Sequence, residues 1–236
     1  MKIKTDNCEI YKGDCLEVMD KLIEQGVKVD AIITDPPYGI DLTPQRKGGK
    51  FKDTKVINDD SLEWLDELVE KTHEITKNIA AVFCGWQTVD KFKIAFEKKF
   101  KVKNILVWNK DWFGMGNNYR PNYELIMLLC KDNIKTKSNN KSNILTYRRM
   151  AANKMTHSCE KPVPLLEDLV YELTNTGDLI LDCYMGTGST GEACIKLERK
   201  FIGIELDEKY FEIAKNRLKE ATEKKEELLK VFDKSN

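Results

Sequence analysis

The sequence predicts an α/β fold, a mostly parallel sheet with helices on both faces, and three observations carry that expectation. Apolar runs alternate with amphipathic stretches along the chain, the pattern of successive strand and helix units. Several of the runs, AIIT at 31–34 and LILDCY at 179–184, are nearly continuous, as strands covered on both faces require. A glycine-rich turn then separates one such run from a helical stretch. In chain order, Glu9–Lys12 reads as a short strand and Cys15–Gln25 as an amphipathic helix. The apolar strand Asp30–Thr34, the helix Leu62–Lys77, the strand Ile79–Cys84 and the helix Val89–Lys98 follow. Two strands come next, Asn104–Asn109 and Glu124–Cys130, then the helix Val163–Leu173. The chain closes with the strand Asp178–Cys183, the helix Ser189–Leu197, the strand Lys200–Glu205 and the helix Glu208–Lys219. The tail beyond Glu220 is mixed in charge and reads as a solvated or fraying helix.

At 236 residues the chain suits one domain over 1–236. Two interruptions stand out: a polar loop at 41–55, and a Gly/Asn-rich then basic stretch at 111–154. Only two histidines, His73 and His157, are present, which excludes a multi-histidine metal site. The seven cysteines form no CxxC pair and most sit in apolar runs, so reduced core thiols are expected and no metal. No apolar run is as long as a membrane span, and the start MKIKTDNCEIYKGD lacks a signal-peptide core. A cytoplasmic protein without membrane contact is expected. Lys plus Arg and Asp plus Glu both number 39. That zero conceals a pattern, because residues 1–97 carry −5, 98–154 carry +10 and 155–236 carry −5. A basic middle interleaved with Trp112, Phe113 and Tyr119 suggests a surface facing a polyanion. Those aromatics suit either a wedge or a local core.

From 178 the chain reads DLILDCYMGTGSTGEACIKLERKFIGIEL. Gly186, Gly188 and Gly191 fit G-x-G-x-x-G, with a strand before, a helix after, and a second strand ending in Glu205. Glycines admit close backbone approach, and a carboxylate at the next strand's tip can take a ribose diol, so an adenosine-containing cofactor is expected. In dinucleotide enzymes such a turn meets a pyrophosphate. Asp182, four residues before the first glycine, would repel that group but suits the ammonium of a methionine moiety. S-adenosylmethionine is therefore favoured over NAD, with a structural turn as the remaining alternative.

Upstream, the strand Asp30–Thr34 runs into Asp35-Pro36-Pro37-Tyr38-Gly39. Two prolines force an extended, rigid backbone and remove amide donors. The carbonyls of Asp35 and Pro36 then stand as fixed acceptors at a strand's carboxyl end, beside the Asp35 carboxylate and the Tyr38 ring. Such a cluster suits a planar group bearing an NH2.

Together the two motifs resemble the β-class of amino-methylating DNA methyltransferases, in which a catalytic DPPY precedes the cofactor glycine loop. The resemblance spans nearly the whole chain. Gly13-Asp14-Cys15 is similar to that family's N-terminal turn, and Trp108-Asn109-Lys110 with Tyr123-Glu124 to the segments flanking its target pocket. His157 through Leu165, with Glu160-Lys161-Pro162, resembles the H-P-T-x-K-P-x-x-L segment, and Asp182–Thr190 the D-P-F-x-G-S/T-G-T/S loop. Cys183, Tyr184 and Ser158-Cys159 depart mildly from it.

The resemblance implies a Rossmann-like S-adenosylmethionine-dependent methyltransferase fold, with the catalytic half N-terminal and the cofactor loop C-terminal. It implies methyl transfer to the N6 amine of a flipped adenine, since cytosine-N4 enzymes more often carry Ser in the first position. Asp35, Pro36, Pro37 and Tyr38 would be catalytic. Asp14, Asp35, Lys161, Asp182, Tyr184, Gly186, Gly188, Thr190 and Glu205 would hold the cofactor: Asp14 at the adenine end, Glu205 on the ribose, Asp182 and Lys161 at the methionine end. For Lys161 a surface salt bridge is the alternative, and for His157 a structural role is favoured. Lys110, Arg120, Arg148 and Arg149 would contact DNA, double-stranded or single-stranded, with target recognition in 111–154. That segment is short for the task, which suggests a short site, help from the 41–55 loop, or a homodimer; a restriction endonuclease partner is left open. No proline is followed by Cys, so covalent C5-cytosine chemistry is excluded. Rival readings are an N4-cytosine enzyme, an RNA or protein-glutamine methyltransferase, a non-catalytic DNA- or cofactor-binding subunit, and an NAD oxidoreductase.

Overall fold

The computed structural model describes residues 1–5, 7–41, 57–112, 118–150 and 160–233, the side chains of 229, 232 and 233 excepted. His157, Ser158, Cys159, Phe113 and nearly all of the 41–55 loop lie outside the described residues. In chain order the elements are β1 (Lys2–Lys4), β2 (Cys8–Lys12), α1 (Cys15–Glu24), β3 (Val29–Thr34), α2 (Leu65–Ile75), β4 (Thr76–Cys84), α3 (Val89–Glu97), β5 (Lys101–Asn109) and β6 (Tyr123–Cys130). Then come β7 (Ile144–Thr146), α4 (Val163–Leu173), β8 (Leu179–Asp182), α5 (Ser189–Lys196), β9 (Lys200–Glu205) and α6 (Glu208–Asp233).

One sheet among the described residues runs in the order β1-β2-β9-β8-β3-β4-β6-β5-β7. Its neighbours pair in parallel except at β1–β2 and on both sides of β6. Side chains alternate across the pleat, and the alternation sorts the core into two layers. Ile33, Phe83 and Ile180 face the layer containing Leu165, Leu169, Ala193, Phe211 and Leu218 from α4, α5 and α6. Ile32, Val82 and Leu181 face the layer built by Met19, Leu22, Leu68, Phe92 and Phe96 from α1, α2 and α3. Each fully buried side chain of this size contributes about 1.5–3 kcal/mol, which is why both faces must be covered.

Two local differences from the expected elements have physical causes. The second helix ends at Ile75 rather than Lys77, since Thr76 already adopts extended backbone (φ −81°, ψ 143°) and opens β4 with no turn residue between. Two three-residue strands, β1 and β7, were not expected, because neither carries an apolar run. As expected of the charged tail, the last helix continues as a solvated helix to Asp233, with i,i+4 pairs such as Lys219–Glu223 along it.

The chain moves one way across the sheet from β3 to β4 and the other way from β8 to β9, so the β3/β8 boundary is a topological switch point. The carboxyl ends of β2, β9, β8, β3, β4, β5 and β7 all open on one edge, and reversed β6 brings its first residues there too.

Candidate active site

That edge holds a cavity of about 490 Å³. Its walls include Asp14, the segment from Asp35 to Tyr38, Lys110, Glu124, Lys161, and the turn from Asp182 to Thr190, with Glu205 behind the turn. Residues far apart in sequence meet directly: the Thr34 hydroxyl, just before the Pro-Pro turn, donates to Asp182 Oδ1 at 2.8 Å.

The turn-side wall is built from neutral donors. Asp182, nearly fully buried, accepts from the Thr34 hydroxyl and the Tyr184 amide (3.1 Å) on one oxygen, and from the Thr190 hydroxyl (2.7 Å) on the other. Desolvation outweighs these donors and pushes its carboxyl up to about 6. Glu205 accepts from the Gly186 amide at 2.9 Å and the Asp207 amide at 2.7 Å, and burial pushes it up to about 7. Neither has a cationic partner among the described residues. Gly186 (φ +53°) and Gly188 (φ +82°) adopt left-handed backbone. Open space surrounds the missing side chain at Gly186, whereas a Cβ at Gly188 would meet Ala214 at 3.1 Å. Gly186 therefore serves approach to the cavity, and Gly188 also serves packing against α6. Tyr184 is partly buried and packs against Trp64 (centroids 6.0 Å apart), and desolvation raises its hydroxyl. Asp14 caps α1, its Oδ1 accepting from the amides of Leu16 (2.9 Å) and Glu17 (3.3 Å).

This wall fits an adenosylmethionine. A buried and a partly buried carboxylate, neither with a cation among the described residues, invite positive charge, while a pyrophosphate would be repelled by both. Each carboxylate oxygen has two lone pairs, so Glu205 can take hydroxyl donors while still holding the turn.

The opposite wall is charge-compensated. Asp35 Oδ1 accepts from the Tyr38 hydroxyl at 2.7 Å, and Asp35 Oδ2 from the Lys161 ammonium. Lys161 also meets Glu124 Oε2 at 3.2 Å, and Glu124 Oε1 takes Lys110 at 2.5 Å. Desolvation raises Asp35, with Glu124 adding to it and Lys161 opposing it. On Glu124 desolvation also acts upward, but Lys161 and Lys110 outweigh it and hold the carboxyl down at about 2. Pro36 is buried and Pro37 half-buried in the cavity wall. The turn is pinned from below: Asp59 Oδ1 accepts from the amides of Tyr38 (2.7 Å) and Gly39 (2.9 Å), and the Thr88 hydroxyl donates to the Tyr38 carbonyl (2.9 Å). Gly85 lets the Tyr38 ring come close, since a Cβ there would stand 3.1 Å from it.

Several of the expected residues have surroundings that the sequence did not indicate. Lys161 is not at the surface: its side chain is 7% exposed and its ammonium is engaged by two carboxylates, Asp35 and Glu124, of the same wall. Lys110 turns inward to Glu124 instead of outward. Arg120 and Arg148 are exposed and Arg149 half-buried, and the Arg149 amide donates to the Lys110 carbonyl at 3.2 Å, which places 148–149 on the cavity edge. Tyr119 is fully exposed and Trp112 is half-exposed with the Arg148 guanidinium 5.3 Å from its ring centre, so these two aromatics are not local core. The basic middle is also divided in space. Lys98 and Lys99, between α3 and β5, pair with Asp66 and Glu70 on α2, and Lys141 pairs with Asp168 on α4. Thr34, Asp59 and Thr88 were not singled out by sequence, although Thr34 adjoins the Pro-Pro motif; Trp86, exposed at the cavity rim, gave no signal at all.

The comparisons with known proteins agree with this geometry. A family model described as DNA methylase, N6_N4_Mtase, matches residues 29–216. The DNA adenine methyltransferase YhdJ of Escherichia coli (strain K12) is 26% identical, over 94% of this chain and 86% of its own. The solved structure of M1.HpyAVI in complex with SAM is 28% identical, with a TM-score of 0.71 over 89% of this chain and 98% of that one. The PvuII DNA methyltransferase (cytosine-N4-specific), 16% identical with a TM-score of 0.70 over 91% and 87%, shares the fold. With its family model covering most of the sequence and these motifs meeting in one cavity, the chain belongs to the DNA methylase family.

Proposed function

We propose that the protein transfers a methyl group from S-adenosylmethionine to the N6 amine of an adenine flipped out of DNA. The observation that carries this is the Thr34–Asp182 contact, which sets the acceptors of Asp35 and Pro36 against the carboxylates of the turn. Because the N4-cytosine neighbour shares the fold, the fold does not choose between bases; Asp rather than Ser before Pro-Pro-Tyr favours adenine, as does the likeness to an adenine methyltransferase.

The cofactor supplies an electrophilic methyl group on a sulfonium. Asp182 and Thr190 would hold its methionine end, Glu205 and Gly186 its ribose, and Asp14 its adenine. The target amine is a weak nucleophile, its lone pair delocalised into the ring. Hydrogen bonds from its N–H groups to the Asp35 carboxylate and the Pro36 carbonyl favour a pyramidal nitrogen and aim the lone pair at the methyl carbon. The bound cofactor would supply the methyl group and depart as the neutral thioether, and Asp35 would take the proton that the amine gives up. Positioning and electrostatics do most of the work. Flipping costs a few kcal/mol, and stacking against Tyr38 returns about 1–3 kcal/mol. Phosphate contacts, with Arg120, Arg148 and Arg149 on the cavity edge, would then supply most of the affinity.

The test is incubation with labelled S-adenosylmethionine and unmethylated DNA, followed by identification of the nucleoside. N6-methyladenine is expected. Recovery of N4-methylcytosine, or label only in RNA or protein, would sink the adenine assignment.

A further inference from the structure

The wall that faces the target base contains more charge than gripping an amine needs. Asp35, Lys161, Glu124 and Lys110 form an alternating row, with Tyr38 bridging the two acids: its hydroxyl is 2.7 Å from Asp35 Oδ1 and 3.2 Å from Glu124 Oε2. Burying a lysine and two carboxylates is costly unless each is paired. Here four different segments deliver the members: Asp35 follows β3, Lys110 follows β5, β6 begins with Tyr123 and Glu124, and Lys161 precedes α4. The transfer leaves a proton on the amine nitrogen that Asp35 must accept. A carboxylate bound to a lysine of its own would be a poor acceptor, because an adjacent ammonium stabilises the ionised form.

We infer that Glu124 is a positioning residue that shares Lys161 with Asp35, so that Lys161 orients Asp35 without suppressing its capacity to take the proton. Lys110 in turn neutralises Glu124 and keeps it from drawing Lys161 away entirely. The charged and titratable groups facing the two acids fit this division. Lys161, Tyr38, Cys84 at the end of β4 and Asp182 at the end of β8 surround Asp35; Lys161, Lys110, Tyr38 and Cys84 surround Glu124. In the step itself the N–H bond breaks, its electron pair returns to nitrogen, and the proton joins a carboxylate oxygen of Asp35. The opposed directions of the two carboxyls, Asp35 up and Glu124 down, agree with one acting as acceptor and the other as a standing anion.

This rests on the proposed methyl transfer to a DNA amine, and the test separates the two. The kcat for transfer from labelled S-adenosylmethionine to unmethylated genomic DNA is measured against pH at saturating substrates, where it reports groups in the ternary complex. In Glu124→Gln, Asp35 no longer shares Lys161 with a second carboxylate, so the acidic limb should move to lower pH by about one unit, the scale of one nearby charge. In Lys110→Met, Lys161 is drawn towards Glu124 and the limb should move to higher pH. Glu124→Asp keeps the charge and should leave the limb in place. Lys110→Met leaves the buried carboxylate intact, so it reads the same row if Glu124→Gln does not fold. Opposite shifts support the inference. Reduced amplitude with unmoved limbs, or shifts of one sign, overturns it. No label in DNA with the unchanged protein overturns both this and the function it rests on.

Discussion

The two walls of the cavity handle buried carboxylates in opposite ways. On the turn side, Asp182 and Glu205 are held by hydroxyls and backbone amides, and burial lifts both carboxyls towards neutral pH. On the Pro-Pro side, Asp35 and Glu124 are held by lysines. Neutral donors fix geometry but leave the charge uncompensated, so that wall attracts a cation. Lysines compensate the charge, so the other wall can receive a neutral, amine-bearing ring. One cavity therefore offers two electrostatic environments, assigned by the choice of hydrogen-bond donor.

The largest effect should come from removing the compensated acid. Asp35→Ala should lower methyl transfer by about 10²–10⁴-fold, the range for a positioned proton-transfer group, while cofactor affinity stays within several-fold. Wild-type turnover in that variant would break the comparison at its base. Asp182→Asn keeps the shape, and the Thr190 hydroxyl can turn to accept. The loss of charge should weaken S-adenosylmethionine binding by about 1.5–3 kcal/mol, roughly 10- to 150-fold, read by calorimetric titration. Equal affinity would place the cation elsewhere.

A third effect is pH-dependent. Asp182 and Glu205 have folded-state values raised to about 6 and about 7, so the ligand-free protein holds protons that the unfolded chain releases. Its stability should therefore fall as pH rises from the ordinary carboxyl range, about 4, through those values. Binding of a cation favours the ionised forms, so cofactor affinity should rise over the same window. Thermal melts and titrations on either side of it check both signs, and a flat affinity would contradict the turn-side half of the comparison. The smallest effect concerns neither wall. Arg148→Ala with Arg149→Ala should weaken DNA binding and reduce its salt slope by about 2, near 0.9 per lost phosphate contact; an unchanged slope would show that this edge faces away from DNA.

Much of this was legible in the sequence, for reasons that particular residues make plain. Continuous runs such as AIIT can only be strands buried on both sides, and the glycine turn announced itself through Gly186 and Gly188, which sit at positive φ. Lys161 was less readable: nothing in a Lys-Pro pair tells whether the lysine is exposed or lies between two carboxylates 126 and 37 residues away. The basic middle gave its sign but not its distribution, because a charge count does not see that Lys98 and Lys99 pair with Asp66 and Glu70 on α2. The two short strands were invisible because pairing, not composition, defines them; β7 pairs with Val107–Asn109 of β5, and just beyond it the Trp108 indole donates to the Tyr147 carbonyl at 2.7 Å.

Reversed β6 has a consequence for how such a protein can change. The connection from β5 to β6 leaves and re-enters the sheet on the cavity edge, and its two ends are clasped where the Lys110 amide donates to the Asn122 carbonyl at 2.8 Å. A longer or shorter segment can be grafted between those clasped residues without altering strand register, the cofactor turn, or the row of charges behind Lys110. The clasp thus separates the length of that connection from the strands on either side of it, which keep their register whatever runs between Lys110 and Asn122.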